Sequence, residues 1–211
     1  MSLVANTQVT CPACGKSSAV ALVRSINTQT DPAQKAALMR GELNVLICEC
    51  GKRTPMAADL LFHDPVAGFF CQVCVGDAEA IAKSKLAFEE SGVAGDRRIV
   101  RSMNALMEKV KLLDAGLKDW AIEMVKVLLL TTLENPNLDE VLLFDGVDRS
   151  AGTLSWLLFR AGQTGPQFLR SPLASYERGL DQWRAAAPGS QLEIDRAWAL
   201  ASLRKVMPLP V

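Results

Sequence analysis

The sequence predicts an α+β protein whose chain is organised in three parts. Residues 1–75 contain strand-like segments and two close pairs of cysteines, and residues 76–137 show the apolar periodicity of a helical hairpin. Residues 138–211 combine short strands with two helical stretches and form a small α/β part. The chain has 211 residues, 49% of them hydrophobic, which is enough for one large domain or two small ones with a real core.

The charges of the chain balance, because 23 Lys and Arg stand against 23 Asp and Glu. A similar balance holds within each of the three parts. The protein therefore has no overall field that would draw it onto phosphate or onto an anionic membrane. This excludes a strongly basic nucleic-acid-binding domain and leaves open only a local basic groove.

We expect a cytoplasmic protein that has no contact with membranes. Apolar runs such as Val127–Leu130 are far too short to span a bilayer, and residues 1–6 lack the basic and apolar regions of a signal peptide. The six cysteines occur in close pairs. In a reducing compartment they are better explained as metal thiolates than as disulfides.

Two of the cysteine pairs have the spacing of metal-binding knuckles. The first is Cys-Pro-Ala-Cys-Gly at 11–15, where two thiolates three residues apart can face one ion, Pro12 stiffens the turn and Gly15 allows a positive φ. The second is Cys-Glu-Cys-Gly at 48–51, which follows a strand-like stretch at 43–47 and has one residue fewer between its thiolates.

Two knuckles at strand ends predict a zinc ribbon that closes a tetrahedral four-sulfur site around one Zn²⁺. The predicted ligands are Cys11, Cys14, Cys48 and Cys50. Such a site has no open position for water, so its role would be structural. The alternative is a group of buried reduced cysteines, because thiols also pack well in cores.

The third pair, Cys71 and Cys74, lies in a strand-like segment at 68–75. On a regular strand, residues three apart face opposite sides, so these two could not share an ion and would be packed or surface thiols. If the chain turns near Gly76, they could join the metal site or act as a redox dithiol.

The single histidine, His63, stands beside Asp64. It could be a zinc ligand oriented by that carboxylate, or a general base. A structural role in the turn that leads to Pro65 is favoured, because no nucleophile stands at a recognisable spacing from it.

The other elements follow from periodicity and breakers. We predict a strand at 19–26 and helices at 33–40 and 77–90, followed by a linker at 91–95. One apolar helical face then contains Ile99, Met103, Leu106, Val110 and Leu113. After Gly116, a second helix with Trp120 and Met124 on its apolar face runs to Pro136, and the short break predicts an antiparallel hairpin.

The last part is predicted to begin with a small antiparallel meander. Its strands lie at 140–144, 153–159 and 167–169, with Asp145-Gly146 and Ala151-Gly152 as turns. Helices are expected at 175–186 and 193–207.

Several motifs together resemble the CpXC family, small prokaryotic domains named for two Cys-Pro-x-Cys motifs. The matching residues are at 11–15, 41–44, 48–51 and 60–64, and the resemblance continues through 98–102, 108–109, 114–117 and 122–123. It implies a bacterial protein with a zinc ribbon and a downstream helical part, and it implies nothing about activity. The second motif here lacks the proline and one spacer residue, and Cys71 and Cys74 belong to neither motif.

The sequence favours a zinc-binding adaptor module that binds another protein, and it assigns no catalytic residue. It contains no phosphate-binding glycine loop and no nucleophile elbow. A metal- or thiol-dependent enzyme is the alternative. The least favoured hypothesis is a nucleic-acid-binding ribbon with Lys16, Lys52 and Arg53 as phosphate contacts, because the chain has no net positive charge.

Overall fold

The structure is a computed structural model that describes residues 3–207, and its mixture of helices and strands confirms the α+β class. The chain divides into two compact units, the first ending at Met107 and the second beginning at Glu108. Within the described residues, no helix is long and apolar enough to cross a membrane. The division of the sequence at residues 75 and 137 stays a prediction.

The first unit contains ten regular elements in its described part. In chain order they are β1 (Val4–Thr10), β2 (Ser17–Val23), β3 (Ser25–Asn27), α1 (Pro32–Met39), β4 (Val45–Ile47), β5 (Arg53–Pro55), β6 (Leu60–Asp64), β7 (Phe69–Val73), α2 (Ala78–Glu90) and β8 (Asp96–Val100). Strands β1 and β2 form one antiparallel hairpin, and β4 and β5 form another. The other four strands form a sheet in the order β3-β6-β7-β8, in which only β6 and β7 are antiparallel.

Alternation along β6 and β7 places the apolar core on one face of this sheet. Leu60, Phe62, Phe69, Cys71 and Val73 are buried, and the residues between them on each strand are half-buried. The rings of Phe62 and Phe69 meet edge to face with their centroids 6.3 Å apart. The strand predicted around Cys71 is therefore present.

Helix α3 (Met103–Asp114) contains the boundary between the units. The second unit continues with α4 (Asp119–Thr131), β9 (Val141–Asp148), β10 (Thr153–Phe159), β11 (Gln167–Pro172), α5 (Leu173–Gln182), a 3-10 turn at Arg184–Ala186 and α6 (Arg196–Val206). The three strands form an antiparallel sheet with β10 at its centre, as the predicted meander requires.

Helix α4 is the centre of the second core, since nine of its 13 residues are buried. A helix buried on most of its faces must contact several elements at once. Met124 and Ile122 lie in the same apolar cluster as Phe144 and Trp156 of the sheet. The Phe144 and Trp156 rings meet edge to face at 5.9 Å, and the Trp156 indole Nε1 donates to the Ser171 hydroxyl at 2.9 Å.

Two predictions about local structure are wrong. Ile99 fits the helical period that leads to Met103, but Ile99 lies in β8, where it is buried by parallel pairing with β7, and the helix begins at Met103. Asp145-Gly146 lies inside β9 and does not form a turn. The pairing with β10 shifts register at this position, and this irregularity accommodates the glycine within the strand.

A network of charged side chains lies within the core of the second unit. The Lys126 Nζ donates to both carboxylate oxygens of Glu108, at 3.0 and 3.1 Å, and to Glu123 Oε1 at 3.0 Å. The Phe144 backbone amide donates to Glu108 Oε1 at 2.6 Å. All three charged groups are buried, so each depends on the others to replace hydration.

Lys109 extends this network to the segment that precedes α6. Its Nζ lies 3.0 Å from Asp119 Oδ2 and 3.4 Å from Glu123 Oε1, and it donates to the Ile194 carbonyl at 3.0 Å. Burial by itself would raise the pKa of Glu123, but Lys126 and Lys109 lower it. At Glu108, burial prevails and raises the pKa. The network therefore pairs opposite charges in the buried core, where a single charge would lose its hydration without compensation.

We predict that Lys126→Met strongly destabilises the second unit, because it leaves the carboxylates of Glu108 and Glu123 buried without their shared cation. The expected loss is about 3–5 kcal/mol in the free energy of unfolding. Urea unfolding followed by tryptophan fluorescence measures it selectively, because all four tryptophans lie after residue 107.

The matched control is Lys205→Met on the exposed side of α6. It should change the same free energy by less than about 0.5 kcal/mol. Equal effects of the two substitutions would contradict a stabilising role for the network.

Candidate metal centre

The first cysteine pair lies in the turn of the β1–β2 hairpin. The Cys11 amide donates to the Lys16 carbonyl at 2.9 Å, and the Gly15 amide donates to the Cys11 carbonyl at 3.0 Å. Gly15 has φ 73°, a left-handed conformation that glycine adopts without a Cβ clash. These bonds close the turn so that Cys11 and Cys14 point toward one place.

The second pair lies in the turn of the β4–β5 hairpin and closes in a similar way with one residue fewer. The Cys48 amide donates to the Lys52 carbonyl at 3.0 Å, and the Gly51 amide donates to the Cys48 carbonyl at 2.9 Å. Gly51 has φ 83°. The Cys-x-Cys spacing, which departs from the family motif, thus still forms a knuckle.

Asn44 connects the second hairpin to the first. Its side-chain amide accepts a hydrogen bond from the Val23 backbone N–H at 2.8 Å and donates to the Val23 carbonyl at 2.9 Å. The Asn44 backbone carbonyl also accepts from the Met56 amide at 2.7 Å, just after β5. Asn44 is buried and has φ 54°, a conformation that Asn tolerates better than most residues. The sequence signal for this role is an Asn before a strand, because Asn tolerates a left-handed turn.

The structure brings the four predicted ligands together. Their Sγ atoms all lie within 4.8 Å of one another, with 3.8 Å between Cys11 and Cys50 and 3.5 Å between Cys14 and Cys48. These two short distances each join one knuckle to the other. An arrangement of four thiols at such distances could hold one metal ion.

The cluster has a buried side and an exposed side. Cys11 and Cys48 are buried against Leu46, whereas Cys14 and Cys50 are exposed. Val9, Val20 and Met56 pack around the buried side. The two inner sulfur atoms are therefore shielded from water, and the two outer ones can be reached by reagents.

The thiols differ in their affinity for protons. Hydrogen bonds from the backbone amides of Ala13 and Cys14 lower the pKa of Cys11 to about 6. The Cys50 amide lowers the pKa of Cys48, but the neighbouring thiols of Cys14 and Cys50 outweigh it and raise that pKa to about 12. Four thiolates this close repel one another, so full ionisation of the cluster requires a cation among them.

A surface ion pair joins the two knuckles outside the cluster. The Lys16 Nζ contacts Glu49 Oε2, and both side chains are largely exposed. Such a pair contributes little to stability because water screens it. Lys16, one of the three predicted phosphate contacts, is thus already paired with a carboxylate.

Cys71, Cys74 and His63 lie outside this cluster. Cys71 is in β7 and Cys74 follows that strand, and both are buried. His63 lies in β6, and its ring stacks on Phe70 with centroids 4.0 Å apart and an interplanar angle of 10°. Among the described residues, the group that could hold a metal ion contains only the four cysteines of the two knuckles.

Two hairpins thus carry at their turns a four-cysteine cluster that could hold a metal ion. Residues 9–126 match the family described as CpXC protein, which is more than half of the chain. The chain therefore belongs to the CpXC family. Comparisons with curated proteins and with solved structures find no significant match. The family match ends within α4, so β9–β11, α5 and α6 lie beyond it.

We predict that Asn44→Ala weakens metal binding by the cluster, because it removes both hydrogen bonds to Val23 and places alanine at a positive φ. Loss of the buried hydrogen bonds costs about 1–3 kcal/mol, part of which would appear as a lower apparent metal affinity. Competition with a chromogenic chelator measures that affinity.

Asn44→Gly separates the two effects, because glycine accepts the φ value but cannot bind Val23. Its metal affinity should lie between those of the wild type and Asn44→Ala. Wild-type affinity in the glycine variant would show that only the backbone conformation matters at this position.

Proposed function

We propose that the protein binds one zinc ion per chain through Cys11, Cys14, Cys48 and Cys50, and that the zinc-stabilised ribbon binds another protein. The observation that carries the zinc proposal is the convergence of four Sγ atoms from two hairpins within 4.8 Å. The binding role rests on the structural character of such a site and on the exposed surface beside it.

The donor set supports zinc as the metal. Thiolates are soft ligands, and four of them in a tetrahedral arrangement are typical of structural zinc or of iron–sulfur sites. A Zn–S distance of about 2.3 Å in a tetrahedron places sulfur atoms about 3.8 Å apart. The distances of 3.8 and 3.5 Å across the two knuckles agree with that value.

The same donor set supports a structural role. Four protein ligands complete the tetrahedron, so the ion offers no position for a water or a substrate. Zinc binding to such a site contributes free energy to folding, which matters here because β4 and β5 have only three residues each.

We predict one zinc per chain in protein purified without chelators, measured by elemental analysis together with iron. Cys11→Ser and Cys50→Ser should each lower the zinc content severalfold, because each removes one of four ligands. Cobalt substitution should give the absorption of tetrahedral thiolate coordination.

Cys74→Ala is the matched control, since Cys74 is buried but lies outside the cluster. This variant should retain its zinc. Loss of zinc from Cys74→Ala with retention in Cys50→Ser would contradict the ligand set, and stoichiometric iron in place of zinc would contradict the metal.

The surface next to the cluster supports the partner proposal. Ile47 directly precedes Cys48 and is 65% exposed. In this proposal Ile47 contributes an apolar contact to the partner, because protein interfaces combine apolar side chains at their centre with polar ones around them. The position of Ile47 depends on the second knuckle, so binding should depend on zinc.

We expect affinity capture from the native cell to retain a stoichiometric protein partner, and both Ile47→Asp and Cys11→Ser should lose it. Val66→Asp is the control, because Val66 is 88% exposed in the turn after β6 and away from the knuckles in the sequence. Titration of the purified partner should reproduce these differences. A salt-dependent shift with generic DNA or RNA, or zinc-dependent turnover without a partner, would contradict the adaptor role.

A further inference from the structure

The second unit contains a groove between α4 and α5 that the proposed zinc site does not use. The groove has a volume of about 400 Å³, within the range of roughly 300–1,000 Å³ that is usual for small-molecule sites. The helices contribute one matching stripe each, with residues at i, i+3, i+4 and i+7. The stripes are Val125, Leu128 and Leu129 on α4 with Thr132 at its C-terminal cap, and Ser175, Arg178, Gly179 and Gln182 on α5.

The two stripes have opposite chemical character. The α4 stripe is apolar along three of its four positions, and Met207 adds a further apolar side chain. The α5 stripe carries a hydroxyl, a guanidinium and an amide. Two helix faces that pack against each other in a core are normally both apolar, so this pairing of an apolar with a polar face is typical of a binding groove.

Among the described residues that line this groove, Arg178 is the one that carries a charge. It is exposed, and no ion pair or hydrogen bond of its guanidinium is found among residues 3–207. Within residues 3–207, no carboxylate lines the groove to compensate this charge. The groove is therefore complementary to a ligand that is apolar over most of its length and negatively charged at one end.

Trp183 closes part of the groove, and its indole has an unusual environment. Its ring packs against Gly179 so closely that a Cβ added at Gly179 would lie 2.3 Å from the ring. The indole Nε1 is buried and has no hydrogen-bond partner in the described part of the chain. A buried donor without an acceptor is unfavourable, and an oxygen atom of a bound ligand would offer one.

We propose that this groove binds an amphipathic monocarboxylate, with its alkyl chain along Leu128, Leu129 and Val125 and its carboxylate at Arg178. The hydroxyl of Ser175 lies one helical turn from Arg178 on the same face and contributes a second donor to the carboxylate. This site lies outside the zinc cluster and does not depend on the adaptor role.

The test compares three probes of equal chain length: decanoate, decanol and decylammonium, each below its aggregation concentration. Isothermal titration with the full-length protein should show one site per chain that prefers decanoate over decanol and decanol over decylammonium. Arg178→Gln should lower the affinity for decanoate about tenfold, close to that for decanol, because it removes a charge-assisted hydrogen bond.

Two further variants locate the site. Arg184→Gln is the charge control, since Arg184 is exposed, pairs with Asp181 and does not line the groove. It should bind decanoate as the wild type does. Ser175→Phe should fill the groove and abolish binding of all three probes, while urea unfolding shows that the unit remains folded.

Tryptophan fluorescence gives an independent readout of position. Decanoate should change the emission of the wild type, and Trp183→Phe should lose that change although three other tryptophans remain. Equal affinities for the three probes, or a decanoate affinity that is insensitive to Arg178→Gln, would overturn the proposal as nonspecific apolar adsorption. Failure of decanoate to bind would overturn it as well.

Discussion

The meeting of four sulfur atoms at the turns of two hairpins is the constraint that brings these hairpins together. Strands β4 and β5 have three residues each, and hairpins of this size are marginal in water. The buried residues of the cluster around them are only Cys11, Leu46 and Cys48. A metal ion held by the four thiols would cross-link the two hairpins, because closely spaced ionised thiols repel one another without a cation.

The second unit achieves its stability by different means. Helix α4 lies within a large apolar cluster, and a buried ion network connects it with α3 and with the Phe144 and Ile194 backbone. Buried charges of this kind fix positions because each loses its hydration and has few acceptable partners. All four tryptophans and the single tyrosine belong to this unit, so its folding can be followed separately from metal binding.

The two units also present different kinds of surface. At the cysteine cluster, Cys11 and Cys48 are buried, whereas Cys14 and Cys50 are exposed. The groove between α4 and α5 has the size and amphipathic lining of a small-molecule site. Most of it lies beyond residue 126, so family membership gives no information about it.

The sequence by itself determined the family, the α+β class, the two knuckles and most of the helices, because these depend on short spacings and local periodicity. Only the tertiary structure shows that Ile99 lies in a strand and that Asn44 binds the Val23 backbone. It also shows that Lys126 pairs with Glu108, 18 positions away in the sequence. The helical spacing of the residues that line the groove can be read from the sequence, but the separation of α4 and α5 that opens the groove cannot. The distance between two helices follows from long-range packing of many side chains, which no local pattern specifies.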